Sequence, residues 1–351
     1  MKILVSAFEH SANVHLEALT KEFKGDVELV GVFNPALGDP IVDLRALAIM
    51  GIVDAIKKLP FFLGLSKKML ALVPEVDKVL LIDSSGFNLP LAKKIKKRYP
   101  DKEIIYYILP QAWAWKKKRI PVLAKTIDHL ASILPFEPAY YPKDAPIEYV
   151  GHPLLDEIPR LKEQRSVGNK IAFMPGSRKS EVRNLMPHYI AVQKALECEA
   201  YLIIPEHFVD EIDTLYGDIS GFTIVHEPHK TLYECDFAFV CSGTATLEAV
   251  LIGTPFVLTY IAKKSDYFIA TKLLKLDFEY IGLGNIMFSK FRHRAMHPEL
   301  LQDQVSAASM LQAYESMDQE KFFDDAIQLR QYLKHGSSRR VAQIIEEDDD
   351  H

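Results

Sequence analysis

A chain of 351 residues, 48% apolar and 25% charged, has the make-up of a soluble globular protein with room for two hydrophobic cores. A net charge of −5 gives no general attraction to nucleic acid, and no run of about 18 uncharged apolar residues is present to span a bilayer. Three cysteines without zinc spacing, Cys198, Cys235 and Cys241, exclude a disulfide framework and fit a reducing cytoplasm.

The chain opens directly on an apolar strand, residues 2–7, with no leader-like stretch before it. Further strands are expected at 29–33, 78–82, 103–109, 129–134 and 147–150. Helical patterns fall between them, at 11–23, 46–73 (as a pair), 88–98 and 118–127. The turn after the first strand, Phe8-Glu9-His10-Ser11-Ala12-Asn13, contains no glycine, which weighs against a dinucleotide-binding Gly-x-Gly-x-x-Gly loop. Glu9 and His10 stand at that strand's end as possible bases, the histidine the weaker of the two. The stretch from Ala46 to Val73 is the most apolar of the chain and contains Met50, Phe61 and Phe62 among Lys57, Lys58, Lys67 and Lys68. An interfacial helix pair with snorkelling lysines reads this way, and so does a helix buried against a sheet.

Asp83 ends the strand over 78–82. A carboxylate there faces the ligand crevice of an open α/β sheet and can act as general base on a hydroxyl within reach, or it can cap the next helix. Both tryptophans, Trp113 and Trp115, lie one residue apart before Lys116, Lys117, Lys118 and Arg119. Aromatic rings beside a basic cluster suit a lipid headgroup interface. Stacking on a nucleic-acid base, or one core tryptophan beside a solvated basic face, are the alternatives. Residues 1–151 carry a balance of +4 and the remainder −9, so the first part fits an anionic partner, although scatter alone can give such a split.

Residues 152–168 have the polar, proline-containing composition of a linker. A second alternating series follows, with strands at 170–174, 200–204, 222–225, 236–241 and 255–260, then helices over 306–345 and an acidic tail at 346–351. Two of these strands run into small-residue turns that open helices. One is Pro175-Gly176-Ser177-Arg178 and the other Ser242-Gly243-Thr244, with Glu248 four residues on. Each turn is expected to aim free backbone N–H groups and a positive helix end at an anion. Arg178 adds a fork of donors for phosphate oxygens. Glu248 can accept from ribose hydroxyls or compensate the helix dipole. Outside the tail there is no Asp-x-Asp to hold a divalent ion, so neither metal nor cofactor is expected. The architecture expected is α/β: two doubly wound Rossmann-like domains facing a cleft, over 1–151 and 169–305, with a helical C-terminal segment.

Together these segments resemble the lipid-A-disaccharide synthase family, inverting glycosyltransferases of the GT-B type. The resemblance rests on Leu47-Ala-Ile-Met-Gly-Ile-Val53, Ile82-Asp83 with Phe87-Asn88, Pro110-Gln-Ala-Trp-Ala-Trp115 with Lys118-Arg119, and Leu134-Pro-Phe-Glu137. It continues through Val150-Gly-His-Pro153, Pro175-Gly-Ser-Arg178 and Ser242-Gly-Thr-Ala-Thr-Leu-Glu248, more weakly at Asn285 and Pro298-Glu299. It implies transfer from UDP-2,3-diacylglucosamine to 2,3-diacylglucosamine 1-phosphate, giving a β-1,6 disaccharide and UDP, on the cytoplasmic face of the inner membrane of a Gram-negative bacterium. Asp83, or Glu9 as runner-up, would then be the base and Arg178 would hold the leaving diphosphate. Gly176, Ser177, Ser242, Gly243, Thr244, Glu248 and Asn285 would line the nucleotide-sugar site. The family usually opens with Gly-Glu-x-Ser-Gly-Asp where this chain has Phe8 to Asn13, so close backbone approach to substrate at that loop is in question. A UDP-sugar epimerase of similar build and a non-catalytic membrane-surface protein are the rival readings.

Overall fold

The computed structural model describes residues 1–42, 59–262 and 279–347, and only the backbone of residues 59 and 115. The chain divides into two compact units, Met1–Glu157 with Leu333–His351, and Ile158–Tyr332.

The first unit holds a parallel sheet of β1 (Lys2–Ser6), β2 (Glu28–Val32), β3 (Lys78–Ile82), β4 (Ile104–Tyr107), β5 (His129–Ser132) and β6 (Ile147–Tyr149), in the order β2-β1-β3-β4-β5-β6. All five residues of β3 are buried. That is why the strands read as continuous apolar runs, since a parallel sheet is covered on both faces. Side chains alternate between the faces. Leu4, Val79, Leu81 and Tyr106 pack on one side with Met69 of α2 (Leu59–Leu72), Ile95 of α3 (Ser85–Arg98) and Leu123 of α4 (Ile120–Thr126). Ile3, Val5, Ile82 and Tyr107 pack on the other with Leu16 and Leu19 of α1 (His10–Thr20).

The second unit repeats the plan with β7 (Lys170–Met174), β8 (Glu199–Ile203), β9 (Thr223–Val225), β10 (Phe237–Cys241), β11 (Phe256–Tyr260) and β12 (Glu299–Leu301), in the order β12-β11-β10-β7-β8-β9. Its helices include α5 (Lys179–Ala195), α6 (Pro228–Glu234), α7 (Thr244–Ile252) and α8 (Leu283–Arg292). The pattern of strands was expected, except β12, which is three residues long and lacks a periodic signature. Each sheet reverses its strand order once. The reversal falls between β1 and β3 in the first unit and between β7 and β10 in the second, and it opens a crevice beyond the carboxyl ends of those strands.

The helical C-terminal segment is present, and its helices divide between the two units. After α9 (Ala307–Ser316) and α10 (Gln319–Leu333), the chain ends in α11 (Ser337–Glu346), which belongs to the first unit. Its Val341, Ile344 and Ile345 complete the core on the α1 side of the first sheet. The seat for α11 is the stretch expected to be a linker. Pro153–Glu157 is helical, with Leu154 and Leu155 buried. Asp156 accepts from the backbone N–H of Gly336 at 2.8 Å and of Ser338 at 3.3 Å, which satisfies the start of α11. Gly151, at φ +97°, leaves space for the returning chain: a Cβ there would lie 3.1 Å from the Lys334 carbonyl.

Candidate active site

The reversal point of the first sheet gathers the carboxylates singled out in the sequence. Glu9 follows β1 and Asp83 follows β3. Asp83 and Ser84 both hold left-handed backbone, φ 49° and 42°, a conformation costly for residues with a side chain and common where strain serves a site. The strain is held by a specific lattice. Tyr106 donates to the Asp83 carbonyl at 2.6 Å. The Asn88 amide donates to the carbonyls of Asp83 at 2.8 Å and Ile82 at 3.1 Å, and Ser6 donates to the Asn88 oxygen at 2.5 Å. The cap of α3 is Ser84, so the Asp83 carboxylate is not spent as a helix cap. Burial raises its pKa, against the opposing pull of the Ser84 N–H and of His15. Burial, then repulsion from Asp83, raises that of Glu9 as well. A carboxylate whose pKa is raised is a better proton acceptor.

His15 was not foreseen. It lies one helical turn into α1, where a lone histidine carries no sequence signal, and it pairs with Glu157, a residue of the expected linker. Phe8, in the turn after β1, sets its ring against Phe87, 4.7 Å between centroids, and Phe62, 6.0 Å. Phe61 and Phe62 are half-buried, and Leu63 beside them is exposed. Met50 and the rest of the 46–53 motif lie outside the described residues, as does the Trp115 side chain. Trp113 is not at the surface as expected: it is buried, with Phe136 at 5.0 Å and Tyr140 at 6.0 Å. An aromatic pocket from the Leu134-Pro-Phe-Glu137 turn takes the ring. Lys116, Lys117, Lys118 and Arg119 line a shallow concavity with Ala114, and Arg119 donates to Ser85 in the first turn of α3 at 3.0 Å.

In the second unit, a cavity of about 460 Å³ opens at the reversal point between β7 and β10. Gly176, Ser177, Arg178, Ser242, Gly243, Thr244 and Glu248 line it together. The volume suits a small ligand. The helix N-termini at the cavity differ, however. At α5 the backbone N–H groups of Ser177 and Arg178 donate to Glu181, each at 3.2 Å, and Arg178 itself reaches the other Glu181 oxygen at 2.9 Å. The chain's own carboxylate thus holds that helix end, in a capping box legible as Glu181 three residues after Arg178. Gly176 is required there, because a Cβ would lie 2.5 Å from Glu181 Oε2. At α7 the cap is Gly243, with no side chain on the helix end, and a Cβ at Gly243 would meet nothing within 4 Å. Of these two helix starts, that of α7 carries no side-chain cap. Glu248, one turn into α7, lies 3.5 Å from His229.

Asn285 is not in the cavity. It is fully buried, donates to Glu299 at 2.7 Å and to the His297 carbonyl at 2.9 Å, and accepts from the Met296 N–H at 2.8 Å. Its side chain fastens α8 to β12. Among the described residues, no cluster of His, Cys, Asp and Glu has the make-up of a metal site.

The fold is that of the GT-B glycosyltransferases and their relatives. A spinosyn rhamnosyltransferase matches with a TM-score of 0.61 and 14% identity over 99% of this chain and 100% of that one. The MurG of Acinetobacter baumannii matches at 0.56 and 13%, over 98% of each. A UDP-GlcNAc 2-epimerase from Neisseria meningitidis, solved with UDP-GlcNAc bound, matches at 0.58 and 9%, over 98% and 99%. Fold likeness alone therefore does not separate transferase from epimerase. Sequence does. The model of the lipid-A-disaccharide synthetase family matches residues 3–346. The lipid-A-disaccharide synthase of Helicobacter pylori (strain G27) is 49% identical over 97% of this chain and 96% of its own length. That of Campylobacter jejuni (strain RM1221) is 41% identical over 98% and 99%. The chain belongs to the lipid-A-disaccharide synthase family and is a glycosyltransferase of lipid A biosynthesis.

Proposed function

We propose that the chain joins UDP-2,3-diacylglucosamine to 2,3-diacylglucosamine 1-phosphate, forming a β-1,6 disaccharide with release of UDP. The observation that carries the reading is the cavity at the start of α7, where an uncapped helix end and Arg178 converge. A diphosphate seated there meets the positive end of α7, and Glu248 can accept from both ribose hydroxyls. As the bond to the anomeric carbon breaks, negative charge grows on the leaving diphosphate, and donors fixed in advance stabilise it.

On the first unit, Asp83 takes the proton of the acceptor 6-hydroxyl as that oxygen attacks. The sugar ring passes through an oxocarbenium-like state, as in other glycosyl transfers. Glu9, in the same crevice and electrostatically coupled to Asp83, is the alternative base. The half-buried rings of Phe61 and Phe62, the exposed Leu63 and the cations 116–119 are the surface that would meet acyl chains and anionic headgroups. The working location is then the cytoplasmic face of the inner membrane, as a peripheral protein. No helix among the described residues is long and apolar enough to cross a membrane.

Turnover of Asp83→Asn, with UDP affinity measured beside it, tests the assignment. A base contributes roughly 100- to 10,000-fold, so the rate should fall by that order while UDP affinity stays near that of the parent. Near-parent turnover in Asp83→Asn with an inactive Glu9→Gln would transfer the role to Glu9. Loss of UDP affinity in step with the rate would make Asp83 structural.

A further inference from the structure

The far wall of the second unit's cavity has a different chemistry from its phosphate end. Beyond the loops after β7 and β10, the loops after β8 and β9 contribute Pro205, His226 and Pro228, with Ile203 at the end of β8. From β10 through β7 and β8 to β9 is three strand spacings, roughly 14 Å. That spacing would set a diphosphate at α7 apart from a ring at β9, and Glu248 lines the same cavity. Isoleucine and two prolines make a rigid apolar wall suited to the face of a flat heterocycle.

His226 is the polar side chain of this wall. Its Nδ1 lies 2.8 Å from the Ile204 carbonyl. A carbonyl only accepts, so Nδ1 carries the proton. In the neutral ring, Nε2 on the opposite side is then a bare acceptor. Among the described residues Nε2 has no hydrogen-bond partner. The main chain fixes the tautomer of the neutral ring, whose outer nitrogen is left to accept a hydrogen bond from a ligand.

We propose that His226 selects the nucleobase, with Nε2 accepting from a ring N–H of a pyrimidine. Uracil offers that group at N3, whereas cytosine presents a lone pair there. The proposal rests on the nucleotide-diphosphate reading of the cavity and adds a residue that reads the base. A site built to meet a hydrogen bond rejects analogues lacking it, because its polar atom is left unpaired.

The test is a calorimetric comparison of UDP, CDP and N3-methyl-UDP on the parent, His226→Leu and His226→Gln. The parent should bind UDP about tenfold more tightly than either analogue. His226→Leu should bind all three alike, at about the analogue affinity. His226→Gln, whose amide oxygen can accept, should recover part of the preference. A parent that binds N3-methyl-UDP as tightly as UDP, or a His226→Leu that keeps the preference, overturns the role of His226 while leaving the nucleotide site standing. A parent that binds none of the three overturns the nucleotide reading itself.

Discussion

Arg178 and Glu181 share one helix end, and their pairing sets what Arg178 can do. The arginine side chain is largely exposed while its partner is buried, so the guanidinium can reach a ligand without being pulled from the core. Arg178→Ala should lower turnover about 30- to 1000-fold, since the lost contact is made mainly as charge develops on the leaving group. Activity within threefold of the parent, with folding verified, would remove Arg178 from the reaction. Glu137 gives a second prediction at this scale. It is buried, accepts from Ser132 at 2.6 Å through one oxygen, and among the described residues has no hydrogen-bond partner for the other. Burial pushes its pKa up to about 7. The folded protein therefore keeps a proton that the unfolded chain loses near pH 4.5, and stability falls as pH rises from there to about 7. Glu137→Gln should remove that penalty. Its melting temperature should rise relative to the parent at pH 8 by more than at pH 4.5, and equal differences at the two pH values would contradict the assignment. The places of Asp83 and Arg178 were legible because each lies between a strand and the helix that follows it. The strained backbone under Asp83 and the carboxylate facing Arg178 were less so, because they depend on partners such as Tyr106, Ser6 and Asn88 that come together only in the fold.

At the scale of elements, parallel strands announce themselves as apolar runs, and eight of the twelve found here are fully or largely buried in that way. The weak points of the sequence reading were short or returning elements. β12 is too brief to show a period, and α11 reads as an ordinary amphipathic helix with nothing to reveal that it crosses back to the first unit. The Val150-Gly-His-Pro153 motif did mark something physical. Gly151 admits the chain leading to α11, and buried His152, its pKa pushed down to about 3 by burial, accepts the backbone N–H of Leu154 at 3.4 Å. Gly151→Ala should destabilise the protein by about 1 kcal/mol or more, from the positive φ and the crowded Lys334 carbonyl. Chemical denaturation measures it. An unchanged midpoint would mean that α11 docks without this close approach.

For the whole molecule, the family was legible in the sequence because its motifs are collinear over most of the chain, whereas the fold alone is shared with epimerases. The proposed membrane surface is smaller than the sequence indicated, since Trp113 is buried. What the described residues leave is the cationic run and the face near Leu63. Each surface cation should add about 1 kcal/mol on an anionic bilayer, screened by salt. A variant with Lys116, Lys117 and Lys118 changed to glutamine should bind anionic vesicles more weakly at low salt and lose the difference at high salt. Equal binding at low salt would show the run to be merely solvated.

The central claim is tested most directly by incubating the protein with UDP-2,3-diacylglucosamine and 2,3-diacylglucosamine 1-phosphate and analysing the products. The account predicts stoichiometric UDP and a β-1,6-linked disaccharide 1-phosphate, neither formed when the acceptor is omitted. UDP release without disaccharide, or turnover of free UDP-N-acetylglucosamine with no acylated acceptor, would contradict it.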